Sequence, residues 1–559
     1  MSEFAFIATL TLVFVVAALL LVAAAQYSLP VIPFYLIAGV VVGAFIEEAQ
    51  LLELAQWGIV FLVFAFAVEL EPLYDGGLQR DSLIAALVQA SLTGGATFGV
   101  GLVVGFEPLD AVFFAIASTL GSSLVALSLL ERRVRLRSLH ERLAEAIHFV
   151  EDLLAIAVIL LLSAFVYTGG GWAAVGGGLG LFVVALVIRH YLFDRVTVLA
   201  RGDVEIMMLT GISLLIGFIW LAELAGVSIV VGAFAAGLAV TSEYPHDVET
   251  LDAIGYIEDF FAPIFFVTVG ALSTVPTVET LAISGILLVA VVIVNPLVTY
   301  AVLRWREYDS RTALLAGYSL DQVSEFTLII AIEAAIAGVL APALFDAIVL
   351  TAIVTMLGSV LTERYAERGY QRLVETGVFE RYGTAGRIES RIQADLDGHV
   401  VVTGYDREGQ QVVAACEEIG HPYLVIESDP TRRETVRDRC ANYVFGDAMA
   451  SATWKLTRAE SATLIVATVP REAWAKRILD LDIGADTIVR AVDVESGETL
   501  LEQGALFVAV PDLLAGEQIV DLVTKLLDGE LSVDELHEQG RQRLDRAVEY
   551  GPSDVQRIR

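Results

Sequence analysis

The chain has 559 residues, 56% of them hydrophobic, with a mean hydropathy of +0.70 and a formal net charge of −33. Hydropathy on this scale excludes a soluble globular protein. The acidic balance excludes a nucleic-acid binder, which needs a basic face.

Apolar runs of about 20 residues, the length that crosses a hydrocarbon core of ~30 Å, recur along the first two thirds of the chain. Thirteen are expected: 4–25, 31–47, 53–70, 82–105, 109–130, 143–167, 172–193, 206–222, 226–242, 260–275, 281–303, 310–338 and 343–362. The first has an acidic flank at Glu3 and no cleavage pattern, so it is expected to be retained as a span. The pattern stops near residue 362. Residues 363–559 carry 36 acidic and 23 basic side chains, against 32 and 12 in the apolar part. The expected domains are a transmembrane unit at 1–362, a helical connector at 363–397, a Rossmann-like domain at 398–510 and a helical tail at 511–559.

Arginine orients the spans. Arg80, the ERRVRLRSLHER loop at 131–142, Arg189, Arg195, Arg201, the RWREYDSR link at 304–311, Arg364 and Arg368 all fall on one side. The loops EEAQLLE, FEPLD, VYTGGGW, AELAG and STVPTVE on the other side hold no Lys or Arg. The positive-inside rule then predicts an external N-terminus and a cytoplasmic tail, in a multi-pass protein of the cell membrane.

Three spans carry groups that lipid does not tolerate without cause. Span six places Glu151 and Asp152 side by side, and an intramembrane carboxylate costs ~2.5–3.5 kcal/mol even on insertion scales. His148 lies one turn before Asp152. Span five has a small, hydroxylic centre: Ser118, Thr119, Gly121, Ser122 and Ser123. Span twelve buries Gly317, Ser319, Asp321, Gln322, Ser324 and Glu325. Both are poor helix interiors, and a broken helix in each half of an inverted repeat is a common construction of secondary transporters. Two carboxylates in contact cannot both ionise cheaply, so their protons come off as a coupled pair.

STLGSSLVALSLLER in span five, the Glu151–Asp152 pair, FFAPIFFVTVGALSTV (260–275) and QVSEF (322–326) together resemble the monovalent cation:proton antiporter-2 family, and among its members the Kef-type potassium efflux antiporters. The resemblance implies elevator-like, alternating-access exchange of a monovalent cation for protons. It makes Asp152 the essential carrier with Glu151 beside it, and puts Ser118, Thr119, Gln322 and Glu325 along the ion path. The residue before the aspartate is usually Gln in Kef-type members and Asp in electrogenic sodium antiporters. Here it is Glu151. Sodium antiporters also pair the first carboxylate with a lysine on a late span, and this chain has no lysine before Lys455. Potassium is therefore favoured over sodium. A sodium/proton antiporter of the same fold and a nucleotide-gated cation channel are the alternatives. An enzyme is not expected, because no catalytic constellation is visible. The acidic, lysine-poor composition is similar to that of proteins from salt-accumulating halophilic archaea, whose internal salt screens such repulsion.

The soluble part opens with HVVVTGYDREGQQVVAACEEIGHPYLVIESDP (399–430). A strand, a glycine turn, an amphipathic helix and a second strand ending on Glu427 form the βαβ layout of a dinucleotide fold. NYVFGDA (442–448) and ATLIVATVP (462–470) predict further strands of a parallel sheet. This part resembles a regulator-of-potassium-conductance (TrkA-N-like) domain, and Gly446-Asp447-Ala448 matches its GDA turn. Gly404, Asp406, Gly409, Glu427 and Asp447 are the candidate contacts of a regulatory nucleotide, AMP or NAD(H). Asp406 stands where the second glycine of G-x-G-x-x-G belongs and should disfavour a diphosphate. Both resembled families form dimers, so a homodimer is expected. No metal beyond the transported cation is expected. Cys416 and Cys440 have no metal-site spacing.

Overall fold

A computed structural model describes residues 3–549 except 28, 47, 70–75, 124, 126–138, 168, 194, 196–203, 241–247, 377–388, 395, 447, 449–450, 469–471 and 482–483. The chain forms two compact units, one built almost wholly from residues 1–373 and the other mainly from residues 374–559.

The first unit is all-helical. Its helices are α1 Glu3–Gln26, α2 Ile32–Gly43, α3 Glu48–Glu69, α4 Gly76–Val104, α5 Pro108–Thr119, α6 Leu139–Leu162, α7 Gly171–Ile188, α8 Val204–Ala225, α9 Ile229–Ala239, α10 Val248–Leu272, α11 Val278–Val289, α12 Asn295–Trp305, α13 Ser310–Tyr318, α14 Glu325–Ile336 and α15 Pro342–Glu375. Single π-turns extend α6 and α7 and join α11 to α12. Among the described residues, six helices are long and apolar enough to cross a membrane, and six apolar helices are shorter. Lipid offers the backbone no partners, so apolar chain there folds as helix with its hydrogen bonds internal. Leu, Val, Ile and Phe exposed on α4, α6, α7, α8 and α11 are the surface this arrangement would present to lipid.

Two expected spans are broken. Span five ends as helix at Thr119, and Leu120 is extended (φ −90°, ψ 124°). Span twelve is two helices, α13 and α14, separated by residues 319–324, with Ser324 capping α14 through its hydroxyl and the Phe326 N–H. The end of span five and the basic loop after it lie outside the described residues.

Three boundaries differ from expectation. Helix α6 begins at Leu139 rather than Leu143, so Asp152 lies about 20 Å along it at 1.5 Å per residue. Helix α15 runs through residue 362 to Glu375 without a break, because its second half keeps good helix formers when the apolar run stops. The connector is not helical throughout, since Glu389–Arg391 is a strand.

The second unit is a seven-stranded sheet: β1 Glu389–Arg391, β2 Val400–Thr403, β3 Tyr423–Glu427, β4 Tyr443–Phe445, β5 Leu464–Ala467, β6 Asp486–Arg490 and β7 Phe507–Ala509. Their order is β1-β4-β3-β2-β5-β6-β7. All pairs are parallel except β1–β4, so the sheet is mixed rather than parallel. Strand β1 has no crossover helix before it and adds antiparallel at the edge. The layer helices are α16 Arg407–Ile419, α17 Arg433–Arg439, α18 Ser451–Leu456, α19 Glu472–Leu479 and α20 Val494–Glu502, followed by α21 Pro511–Leu527 and α22 Val533–Glu549. Strands β2 and β3 are buried at every residue, as expected for parallel strands covered on both faces. The order reverses at β2, between β3 and β5, which sets a ligand crevice at the carboxyl end of β2.

Candidate functional sites

The two broken helices meet inside the first unit. Gly121 and Val323 form an isolated antiparallel bridge. The Ser324 N–H donates to the Leu120 carbonyl at 3.0 Å. The Val323 N–H donates to the Thr355 hydroxyl on α15 at 3.2 Å. Two extended peptides thus cross, and their spare backbone groups need other partners. Gln89 on α4 and Asn295 on α12 supply them. The Gln89 amide donates to the Thr119 carbonyl at 2.9 Å and to the Asn295 side-chain carbonyl. The Asn295 amide donates to the Leu320 carbonyl at 3.2 Å. Each half therefore lends one neutral amide to one helix end.

Helix α6 brings its acids to this crossing. The Gly121 N–H donates to Glu151 Oε2 at 3.0 Å. A Cβ at Gly121 would lie 2.7 Å from His148 Cε1 and 3.2 Å from Glu151 Oε2, so only glycine allows the approach. The Ser123 hydroxyl donates to Glu325 Oε1 at 2.8 Å. Asp152 faces Ser123, Glu151 and Glu325. Gln322 donates to the carbonyls of Ser319 (3.0 Å) and Ser122 (3.3 Å), fastening the two breaks together. Glu151, Asp152, Gln322 and Glu325 are each 3% exposed or less, so the acids lie in the protein interior.

Four expected membrane-site residues therefore converge: Glu151, Asp152, Gln322 and Glu325. The Ser118 and Thr119 hydroxyls do not reach the acids. Ser118 bonds Thr97 (2.7 Å) and the Ala115 carbonyl (2.8 Å), and the Thr119 hydroxyl bonds the carbonyls of Ala115 and Ile116. Both lie on the helical part of span five, where a hydroxyl folds back on its own turn. Ser123, past the break, takes the place expected of them. His148 pairs with Glu151, 3.5 Å away, rather than with Asp152 four residues on. Nothing in the sequence marks Gln89 and Asn295, since single amides inside long apolar runs look like packing.

In the second unit, Gly404 has φ 95°, which favours glycine, and turns the chain out of β2. A Cβ on Gly409 would lie 2.0 Å from the Gly404 carbonyl oxygen, so α16 packs on β2 only with glycine there. These are the first and third glycines of the fingerprint, in working geometry. Asp406 is the N-cap of α16, its carboxylate accepting the Gly409 N–H at 2.9 Å. It takes an N–H that a phosphate would otherwise use. Glu427 ends β3 as expected. Its Oε2 accepts the Tyr405 N–H (2.8 Å), its Oε1 accepts those of Ser428 (2.7 Å) and Asp429 (2.8 Å), and Arg432 lies 3.7 Å away. Burial pushes the Glu427 carboxyl up, against the pull of Arg432 and the N–H donors. Glu427 is thus first a lace between the two strand ends, with part of its acceptor capacity left for a ribose. Asp447 lies outside the described residues. The Gly446 N–H beside it donates to the Glu427 carbonyl at 2.8 Å.

Residues 10–364 match the transmembrane domain of sodium/hydrogen exchangers, and residues 400–511 match the TrkA-N domain. The chain belongs to the sodium/hydrogen exchanger family. YbaL of Escherichia coli K12, provisionally named a cation/proton antiporter, is 26% identical over 461 residues, which cover 78% of this chain and 82% of YbaL. K(+) efflux antiporter 6 of Arabidopsis thaliana is 27% identical over 327 residues, 54% of this chain and about half (53%) of that protein. Among solved structures, the sodium proton antiporter MjNhaP1 of Methanocaldococcus jannaschii aligns over 66% of this chain and 98% of its own, with 17% identity and a TM-score of 0.44. This exchanger is a multi-pass cation/proton antiporter of the Kef type, a helical membrane domain followed by a regulatory Rossmann-like TrkA-N domain.

Proposed function

We propose that the protein exchanges potassium for protons by alternating access, with Asp152 as the carboxylate that holds proton and cation in turn. The observation that supports this reading is the crossing itself. Asp152 faces the oxygen-bearing side chains of Ser123, Glu151 and Glu325, beside the two extended peptides bridged at Gly121 and Val323. Such oxygens suit a large monovalent cation, and carboxylates let a proton replace it. The membrane part contains no lysine, so no lysine occupies the place of the transported charge. A one-for-one competition needs only that the loaded forms cross. Glu151, Gln322 and Glu325 shape the site around Asp152, and the chain acts as a carrier, not as an enzyme.

The arginine-bearing loops support an external N-terminus and a cytoplasmic TrkA-N domain. There the domain senses a nucleotide at the carboxyl end of β2. Asp406 already caps α16, which favours AMP, with one phosphate, over NAD(H), with a charged diphosphate at the turn. The protein works as a homodimer. Reconstitution in proteoliposomes with a pH-sensitive dye tests the transport reading. Potassium should drive proton flux at lower concentration than sodium. Sodium dependence alone would establish the sodium/proton alternative.

A further inference from the structure

The helices of the membrane unit pack as two bundles. In the first, α10 lies on α2 and α3, and α9 lies on α3, α7 and α8. The second carries the site. In it α4 packs on α5, α6 and α12, and α14 packs on α5 and α6. Helix α15 joins this bundle, since the Ser284 hydroxyl on α11 donates to its Ala347 carbonyl at 3.1 Å and its Thr355 holds the second break. Alternating access by two such bundles is a rocking of one against the other, so polar bonds between them are made in one state and broken in the next.

At the end whose loops hold no Lys or Arg, two groups of bonds join the bundles. Ser228 opens α9. Its N–H donates to the Ser163 hydroxyl, in the π-turn that extends α6, at 2.6 Å. Its hydroxyl lies 2.9 Å from both carboxylate oxygens of Glu333 on α14. Thr274, just past α10, donates its N–H to Asp346 Oδ1 at 2.9 Å and its hydroxyl to Asp346 Oδ2 at 2.5 Å. In both groups a helix-end residue of the first bundle gives an N–H and a hydroxyl to side chains of the second. Glu333 and Asp346 bracket the α14–α15 link. Asp110 at the head of α5 accepts the Ala341 N–H of that link at 3.0 Å, which keeps the link with the site bundle. Thr274 is exposed, and Ser228 and Glu333 are half-buried. Water can therefore replace each partner when this end opens, so the bonds part at little cost.

We propose that Glu333 and Asp346 are positioning residues of the transport cycle: bonded to Ser228 and Thr274 they hold this end of the two bundles shut, and their release opens the site to that face. The inference rests on the alternating-access reading and adds the residues that govern one of its two states. Ser163 lies eleven residues beyond Asp152, about 16 Å along the helix at 1.5 Å per residue. The bonds thus act through the placement of the bundles, not by touching the ion.

A cysteine reporter between the bonds and the site reads this directly. Ala155 is 1% exposed and shares a stripe of α6 with Asp152 and Ser163. In the full chain carrying Ala155→Cys, a membrane-impermeant maleimide is added at the face away from the TrkA-N domain. Adding Glu333→Ala or Asp346→Ala should speed labelling by about three- to tenfold, the factor by which one buried hydrogen bond made in a single state favours that state. Glu333→Gln and Asp346→Asn keep an acceptor and should label at close to the native rate. The half-saturating cation concentration at that face should fall in the alanine variants, because more of the protein presents its site there. The two groups of bonds are separate, so either alanine variant that inserts decides. Should neither insert, Thr274→Val removes one donor at an exposed position and should show a smaller rise. Unchanged labelling, with or without a loss of transport rate, overturns the proposal. So does labelling in the Gln and Asn variants as fast as in the alanine ones. Failure of the alternating-access reading is separate: it would show as single-channel current through the native protein, whatever these variants do.

Discussion

The Ser123 hydroxyl donates to Glu325 at 2.8 Å across 202 residues of sequence. That one bond ties the broken span of the first half of the membrane unit to the broken span of the second, and Asp152 stands beside it. Neither residue sits in regular helix interior: Ser123 follows a break and Glu325 opens α14. The acids are held by the ends of helices, where backbone groups are free to share the work.

Asp152→Asn should abolish cation-driven proton flux while the protein still inserts and elutes as a folded species from a sizing column. Flux at the native level from this variant would remove Asp152 from the role of carrier.

Glu151→Gln should keep measurable exchange, because the amide can still accept the Gly121 N–H and Gln is the residue usual in Kef-type relatives. Its pH profile should differ from the native one, since a charge facing His148 and Asp152 has gone. Complete loss of flux would make Glu151 the indispensable acid.

Gln89→Leu deletes the donor to the Thr119 carbonyl and to Asn295, leaving a buried carbonyl unsatisfied at a cost of about 1–3 kcal/mol. Thermal unfolding in detergent should shift down by several degrees and exchange should slow. The swapped pair, Gln89→Asn with Asn295→Gln, conserves the amides and should recover part of both. Equal loss in the single and swapped variants would mean that the amide bridge contributes nothing specific.

Asp406→Gly restores the second fingerprint glycine and removes a negative charge at the turn. As an N-cap, glycine costs only a few tenths of a kcal/mol relative to aspartate, so the fold should survive. NAD(H) affinity of the full chain, by calorimetry, should rise more at low salt than at high salt, and AMP affinity should rise less. Weakened NAD(H) binding would instead make Asp406 a ligand contact.

Burial pushes the Cys440 thiol up to about 11, and the residue is 2% exposed. At pH 8 roughly one part in a thousand would be thiolate, so maleimide should leave Cys440 unmodified until the TrkA-N domain unfolds. Rapid labelling of native protein at pH 8 would show that the strand ends around Tyr405 and Tyr423 open readily.

The sequence by itself determined the two-part plan, because apolar run length and charge report the solvent of each segment directly. It also singled out Glu151 and Asp152, since an acid inside such a run has a cost that composition alone reveals, and the glycine turn with Glu427, whose spacing is that of one βαβ unit. What only the tertiary structure decided are the pairings. Ser118 and Ser123 are equally hydroxylic on paper, but a break between them sends one back onto its own helix and the other to Glu325. Gln89 and Asn295 lie 206 positions apart and become partners only when α4 packs on α12. His148 stands at helical spacing from both acids, and the Ser319 carbonyl, brought from the far half of the unit, fixes which nitrogen faces Glu151. Hydrophobicity is a property of each residue and is written in the chain, whereas a hydrogen bond belongs to two residues and waits for the fold that brings them together.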